Sequence, residues 1–360
     1  MLQKKEPRFD CIRKRIDRAI DNRVFPCCVA GVTDTSKQRR VYAGGTFTYE
    51  DSTHAAEEDS VFDIASITKS IPTACLALQM LDRGDLTLET RFCEYIPELR
   101  GAYRKEVTLF HLLTHTIQFG FRLSGLKEES PEAILNAVCT TDYPAPPGTL
   151  YSYANATSIL LGMLVERAGG DSIANLAERE FFGPLGMTRT GFFPKKQSSL
   201  AIVPAEYDPW RNRIICGEVH DESAYALRPR LIAGSAGLFS TVSDLLGFAE
   251  MLLDKGISGG RSFFSPAMIE AMHTNQIPWT GEKSGLGWEL CRREYMGTGI
   301  SGSAFGKTGF TGCVIIVDPV CGQAFVMLSN YTFPRRKKDR DAINSVRRDI
   351  ANMVFFNTMS

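Results

Sequence analysis

From Ser70 to Leu81 the chain reads Ser-Ile-Pro-Thr-Ala-Cys-Leu-Ala-Leu-Gln-Met-Leu, apolar on nearly every side. A helix that is apolar all round must be buried on every face, so the rest of the chain has to wrap around this run. Pro72 is tolerable only in the first turn of such a helix, and Gly84 is a natural stop. The spacing therefore predicts a buried helix that opens on Phe62-Asp63-Ile64-Ala65-Ser66-Ile67-Thr68-Lys69. It sets Ser66 at the helix N-terminus and Lys69 on the same face, one turn on.

That pair has a chemical use. A serine hydroxyl is a weak nucleophile until a base takes its proton. A lysine in a dry pocket can be that base, because burial disfavours the charged form of an amine. Backbone N–H groups at a helix start favour developing negative charge. The motif alone is weak, since Ser-x-x-Lys is expected about once or twice by chance in a chain of this length. A second copy, Ser124-Gly125-Leu126-Lys127, runs into Glu-Glu-Ser-Pro and reads as a loop. Taken alone, Ser66 is equally well a helix-capping serine followed by a solvated lysine.

The 360 residues, 44% hydrophobic and 23% charged, suit a globular protein with a full core and room for two lobes. Forty-one basic and 41 acidic residues cancel, so no polyanion is favoured over the surface and no nucleic-acid partner is expected. No run approaches the ~20 apolar residues of a membrane span, and Met-Leu-Gln-Lys-Lys-Glu-Pro-Arg has no apolar leader region, so a cytoplasmic protein is expected. The ten cysteines are scattered, with no Cys-x-x-Cys and no Cys/His spacing for zinc. Those in apolar stretches, such as Cys75 and Cys313, read as buried thiols of a reducing compartment.

Along the chain, Phe9, Ile12, Ile16 and Ile20 mark an amphipathic helix. Cys28–Thr33 and Arg40–Gly44 follow as strands around a turn. Helical patterns and Gly/Pro loops dominate from Gly84 to about Gly287. Strands then return at Ala304–Gly309, Cys313–Asp318 and Ala324–Ser329, and Asp341–Phe356 closes as an amphipathic helix. The expected fold class is mixed α/β (α+β): an antiparallel sheet built from both chain ends, flanked by helices and carrying a large, mostly helical insertion. The expected domains are 1–83 with 288–360, and 84–287, with an active site between them. Arg335-Arg336-Lys337-Lys338, the one basic run, reads as a solvated loop rather than a polyanion contact, because Asp339 and Asp341 interrupt it.

Two further boxes follow Ser66-Ile67-Thr68-Lys69 in order: Tyr153-Ala154-Asn155 and Lys307-Thr308-Gly309, each the only one of its kind in the chain. With them the sequence resembles the serine β-lactamase and penicillin-binding protein superfamily. It looks most like the class C branch, which includes DD-peptidases and family VIII carboxylesterases. The Ser-Asp-Asn box of class A is absent, and Tyr153-Ala154-Asn155 takes its place. Val61–Ser66, Thr108–Thr116, Val219–Ala224, Ala236–Thr241 and Gly285–Trp288 also resemble family segments, so the likeness spans almost the whole chain. It implies a β-lactamase/transpeptidase-like fold.

Roles follow from this resemblance and from the chemistry. Ser66 becomes acylated, Lys69 shares or removes its proton, and Tyr153 serves as acid and base toward the leaving group and the deacylating water. A free tyrosine, with pKa ~10, is too weakly acidic for that. One lysine charge at ~4 Å and an effective ε of ~20 is worth about 4 kcal/mol, so Lys69 and Lys307 can tune it. Asn155 is expected to bond Lys69 or a substrate amide, and Lys307 and Thr308 to face a substrate carboxylate or the tyrosine oxygen. Gly309 allows close backbone approach. The resemblance implies an oxyanion hole from the N–H groups of Ser66 and Phe310. His111, His115 and His220 are read as structural, with His220-Asp221 the one that could line the cleft. No metal and no cofactor is implied.

Two departures matter. Ile117-Gln118-Phe119-Gly120 stands where relatives carry small residues, and Phe310 stands where β-lactamases place Ser or Ala. A bulky residue there disfavours efficient β-lactam turnover. The expectation is a serine acyl hydrolase working through an acyl-enzyme on a small-molecule ester or amide. The alternative is a penicillin-binding protein with D-alanyl-D-alanine carboxypeptidase or β-lactamase activity, which the lysine of Lys307-Thr308-Gly309 supports as a carboxylate partner.

Overall fold

The computed structural model describes residues 6–356, apart from 51, 52, 193, 195–200 and 229. The first five residues, read above for a leader, lie outside the described residues. The organising element is a six-stranded antiparallel sheet. Its strands are β1 (Cys27–Asp34), β2 (Arg40–Gly45), β3 (Glu289–Leu290), β4 (Phe305–Thr308), β5 (Val314–Asp318) and β6 (Gln323–Ser329), in the spatial order β2-β1-β6-β5-β4-β3. The two chain ends meet where β1 pairs β6, Cys28 opposite Ser329 and Val32 opposite Phe325. On the other side of β6, Ile315 of β5 faces Val326. Lys307 of β4 lies opposite Ile315 in turn.

Both faces of this sheet are covered, which explains why β5 and β6 read as continuous apolar runs rather than alternating ones. Successive residues still point to opposite faces. Cys28, Ala30, Val314, Ile316, Phe325 and Met327 pack with the two terminal helices, Glu6–Asp21 and Asp341–Phe355. Cys27, Val29, Ile315, Val317, Val326 and Leu328 join the larger core with the helix Val242–Leu253. That helix is fixed to the sheet by Glu250, which accepts from Thr33 Oγ1 at 2.7 Å and from Arg39 Nε at 2.6 Å.

The apolar run after Ser66 is buried as expected, with Leu76, Ala77 and Leu78 all at most 1% exposed. It is not one helix. Ala65–Lys69 forms a 3₁₀ turn, Ile71 is extended at φ −115°, ψ 113°, and the α-helix proper runs Cys75–Arg83. The cause is Pro72, whose ring crowds the preceding residue out of helical geometry. Ser66 therefore sits on a tight turn and not on the dipole of a long helix. Gly84 ends the helix at φ +81°, in the left-handed region that favours glycine.

The long helix Asn155–Gly169 is buried over ten consecutive residues from Ala156 to Val165. The basic run 335–338 is exposed but tied down. Arg336 bonds Glu206 and Glu222, and Lys337 Nζ donates to the carbonyls of Arg23 and Val24 at 3.0 Å. Of the ten cysteines, Cys27, Cys28, Cys75, Cys139 and Cys313 are buried, while Cys11 and Cys216 are exposed. Among the described residues no helix is long and apolar enough to cross a membrane.

Candidate active site

Ser66 is partly exposed while its neighbours from Val61 to Ser70 are all buried. The turn that presents it is fastened on three sides. Phe62–Asp63 pairs with Phe239–Ser240, Thr68 Oγ1 accepts from the N–H of Leu238 at 3.2 Å, and Ser70 Oγ donates to the Gly287 carbonyl at 2.7 Å. Ala65, just before the nucleophile candidate, has φ +48°. A left-handed alanine is strained, and the surrounding bonds hold it there. One of them is Asp63 Oδ1, which accepts from the Ala65 N–H at 2.8 Å.

Lys69 is 3% exposed. Its Nζ donates to Ser66 Oγ at 2.9 Å and to the Ser235 carbonyl at 2.7 Å. Tyr153 stands beside it, with Lys69 Nζ 5.3 Å and Lys307 Nζ 4.3 Å from the centre of its ring. Burial pushes the Tyr153 phenol up and Glu289 adds to this, but Lys307 and Lys69, helped by a hydrogen bond with Ser66, outweigh both and hold it below the usual tyrosine value. Tyr153 as a whole remains 42% exposed and forms part of the cleft wall. Ser66, Lys69, Tyr153 and Lys307, taken from three distant parts of the chain, thus converge.

The other residues singled out in the sequence fall differently. Asn155 does not bond Lys69; its Nδ2 donates to Asp221 Oδ2 at 3.1 Å and to Ser223 Oγ at 3.4 Å. Lys307 bonds the carboxylate of Glu289 on the edge strand β3. Burial opposes its charge, but Glu289 and the two tyrosines at 151 and 153 hold it well above the ordinary lysine value, so it stays a cation. Thr308 ends β4, half-buried. Gly309 approaches the Ile64 carbonyl so closely that a Cβ there would lie 2.4 Å from that oxygen. Thr311 Oγ1 donates to the Asp63 carbonyl at 2.7 Å, so the backbone around Phe310 is pinned to the segment entering Ser66.

The Phe310 ring stacks on His220 at 5.7 Å and lies under the Arg340 guanidinium at 4.8 Å. Arg340 and Arg347 also donate to the Gly309 carbonyl, at 3.1 and 3.0 Å. His220 is buried 2.9 Å from Glu206, and Asp63 Oδ2 accepts from its backbone N–H at 2.7 Å. His111 caps the helix Leu109–Leu113 through Thr108. His115 is packed against Tyr153 at 5.1 Å between ring centres. Burial, then Lys307 and Lys69, push its imidazole well below the ordinary value, so it is neutral.

Sequence reasoning missed Glu289, Ser235 and the Asp221 contact of Asn155. Glu289 directly follows Gly285-Leu286-Gly287-Trp288, but no spacing rule ties it to Lys307. A cleft of about 500 Å³ opens beside the site, lined by Phe119, Phe121, Ser152, Tyr153, Asn155 and Asp221 among others. Among the described residues no group of three or more His, Cys, Asp or Glu is arranged to hold a metal.

The comparisons agree with this architecture. The model of the family described as Beta-lactamase matches residues 12–348. A protein of Escherichia coli (strain K12) named "Putative D-alanyl-D-alanine carboxypeptidase" is 27% identical over 308 residues, covering 76% of this chain and 70% of its own. Among solved structures, EstCE1, described as a hydrolase with promiscuous acyltransferase activity, superposes with a TM-score of 0.75 at 18% identity, over 97% of this chain and 98% of its own. A penicillin-binding protein homologue from Caulobacter crescentus also gives 0.75, at 17% identity over 96% and 98%. Likeness at such identity speaks for the fold alone. The family match across nearly the whole chain goes further: this protein belongs to the beta-lactamase family, whose members are serine hydrolases.

Proposed function

We propose that the protein hydrolyses small carboxylic esters or amides through an acyl-enzyme on Ser66. The observation that carries this reading is the 2.9 Å hydrogen bond between Lys69 Nζ and Ser66 Oγ, in a pocket where Tyr153 sits against two lysines. Ser66 Oγ attacks the acyl carbon while its proton passes to the Lys69–Tyr153 pair. The carbonyl oxygen, now an anion, is received by the N–H groups of Ser66 and Phe310. Tyr153 protonates the leaving oxygen or nitrogen, and the resulting phenolate takes a proton from the incoming water. Water then releases the acid and restores Ser66–OH. The lowered Tyr153 phenol supports this double role.

The names of the Escherichia coli relative and of the matched family favour a second reading, a penicillin-binding protein with D-alanyl-D-alanine carboxypeptidase or β-lactamase activity. Side-by-side hydrolysis of a short-chain nitrophenyl ester and a chromogenic cephalosporin, with Ser66→Ala as control, separates the two. Ester turnover lost in Ser66→Ala, with little cephalosporin turnover, supports the esterase reading. Fast cephalosporin turnover reverses the ranking.

A further inference from the structure

We propose that Glu289 sets the substrate class of this site: by closing an ion pair on Lys307 it selects acyl donors that carry no carboxylate next to β4. The inference rests on the acyl-enzyme reading above.

Glu289 lies on the two-residue edge strand β3, opposite Gly306 and one position from Lys307. One carboxylate oxygen takes Lys307 Nζ, and the other accepts from the Tyr295 hydroxyl at 2.7 Å. Lys307 is buried and Glu289 mostly so, with side-chain exposures of 5% and 17%. A substrate carboxylate docking on Lys307 would have to displace Glu289 or sit beside it, two anions sharing one buried ammonium. Like charges at that range disfavour each other strongly.

The cations around this position are also engaged. Lys69 bonds Ser66 and Ser235. Arg292 bonds Glu282 at 2.7 Å and covers the Tyr151 ring. Arg340 bonds the Gly309 and Phe310 carbonyls. Arg347 bonds the carbonyls of Gly309, Gly312 and Cys313.

Glu289 has a second effect. The groups facing Tyr153 include Ser66 and Lys69 from the nucleophile turn, His115 from its loop, Tyr151 from its own segment, Asp221 across the cleft, Lys307 from β4, Glu289 from β3 and Arg340 from the C-terminal segment. Glu289 is the carboxylate paired with Lys307, and it opposes the two lysines. It therefore limits how far the phenol is lowered.

The test uses two esters with the same acyl group, 3-carbamoylphenyl butyrate and 3-carboxyphenyl butyrate, on the native protein and on Glu289→Gln. The native protein should prefer the carbamoyl ester by about tenfold or more in kcat/KM. Glu289→Gln should raise kcat/KM for the carboxyl ester about tenfold, through KM, and move the acid limb of the pH profile to lower pH. The proposal is overturned if the native protein takes both esters equally well, or if Glu289→Gln shifts neither the ratio nor the limb. Should Glu289→Gln fail to fold, the native preference alone decides. Ser66→Ala separates the two claims: carbamoyl-ester turnover surviving in that variant removes the acyl-enzyme, whereas the ester ratio judges Glu289.

Discussion

Lys69 Nζ lies 2.9 Å from Ser66 Oγ, and its other bond, to the Ser235 carbonyl at 2.7 Å, fixes the amine nitrogen in place. A side chain held from two sides is aimed rather than merely near. Lys69→Met keeps an unbranched side chain only one atom shorter and removes the amine. It should lower kcat for the nitrophenyl ester by about 10²–10⁴-fold, the range of general acid–base catalysis. KM should change far less. Steady-state kinetics on the purified variant check this.

The pH profile should follow Tyr153. Its phenol is held below the ordinary ~10 of tyrosine, and the form that accepts a proton exists above that lowered value. Activity should therefore rise with pH along a limb that lies below the ordinary tyrosine range. Lys307→Met removes a lowering charge and leaves Glu289, which raises the phenol. The limb should then move to higher pH. A limb that stays put would mean that Tyr153 does not set it.

Gly309→Ala is a test of the backbone contact. The new Cβ would lie 2.4 Å from the Ile64 carbonyl oxygen, and backbone cannot swing aside as a side chain can. The strand must retreat from the turn that carries Ser66. A displacement of about 1 Å at a reacting centre costs about 10²-fold in rate, and overpacking costs about 1–3 kcal/mol. Ester kinetics and urea unfolding together should register both losses.

Away from the site, Glu250 gives a stability prediction. Burial pushes its carboxyl up, but the hydrogen bonds from Arg39 and Thr33 outweigh that, so the folded value lies below the ordinary one. A depressed carboxyl contributes stability above its unfolded value of ~4.3, and that contribution is lost as pH falls through the folded value. Glu250→Gln should cost about 1.5–3 kcal/mol at neutral pH, the range for hydrogen bonds to a charged group. The difference from the native protein should shrink in acid. Urea unfolding at neutral and acid pH measures both.

Much of the framework was legible because it is local or periodic. The strand around Ile315 announces itself by a β-branched run, those around Val29 and Val326 by short apolar stretches bounded by turns, and the first helix by the spacing of Phe9, Ile12, Ile16 and Ile20. Ser66, Lys69, Tyr153 and Lys307 could be singled out because each stands in a short box. What stayed hidden depends on where distant segments land. Nothing around Glu289 says that a two-residue strand will bring it onto Lys307. Asn155 turns to Asp221 because the carboxylate capping the distant helix Glu222–Ala226 lies within reach of its amide. Pro72 is visible in the sequence, but a proline in a first turn is compatible with an uninterrupted helix; the extended Ile71 before it makes the break.

The central claim is a covalent acyl group on Ser66, and mass spectrometry tests it most directly. The protein is mixed with nitrophenyl butyrate, quenched in acid during turnover and digested. The account predicts one butyryl group on the peptide that contains Ser66, and none on that peptide in Ser66→Ala. Label on another residue, or undiminished ester turnover by Ser66→Ala, would contradict it.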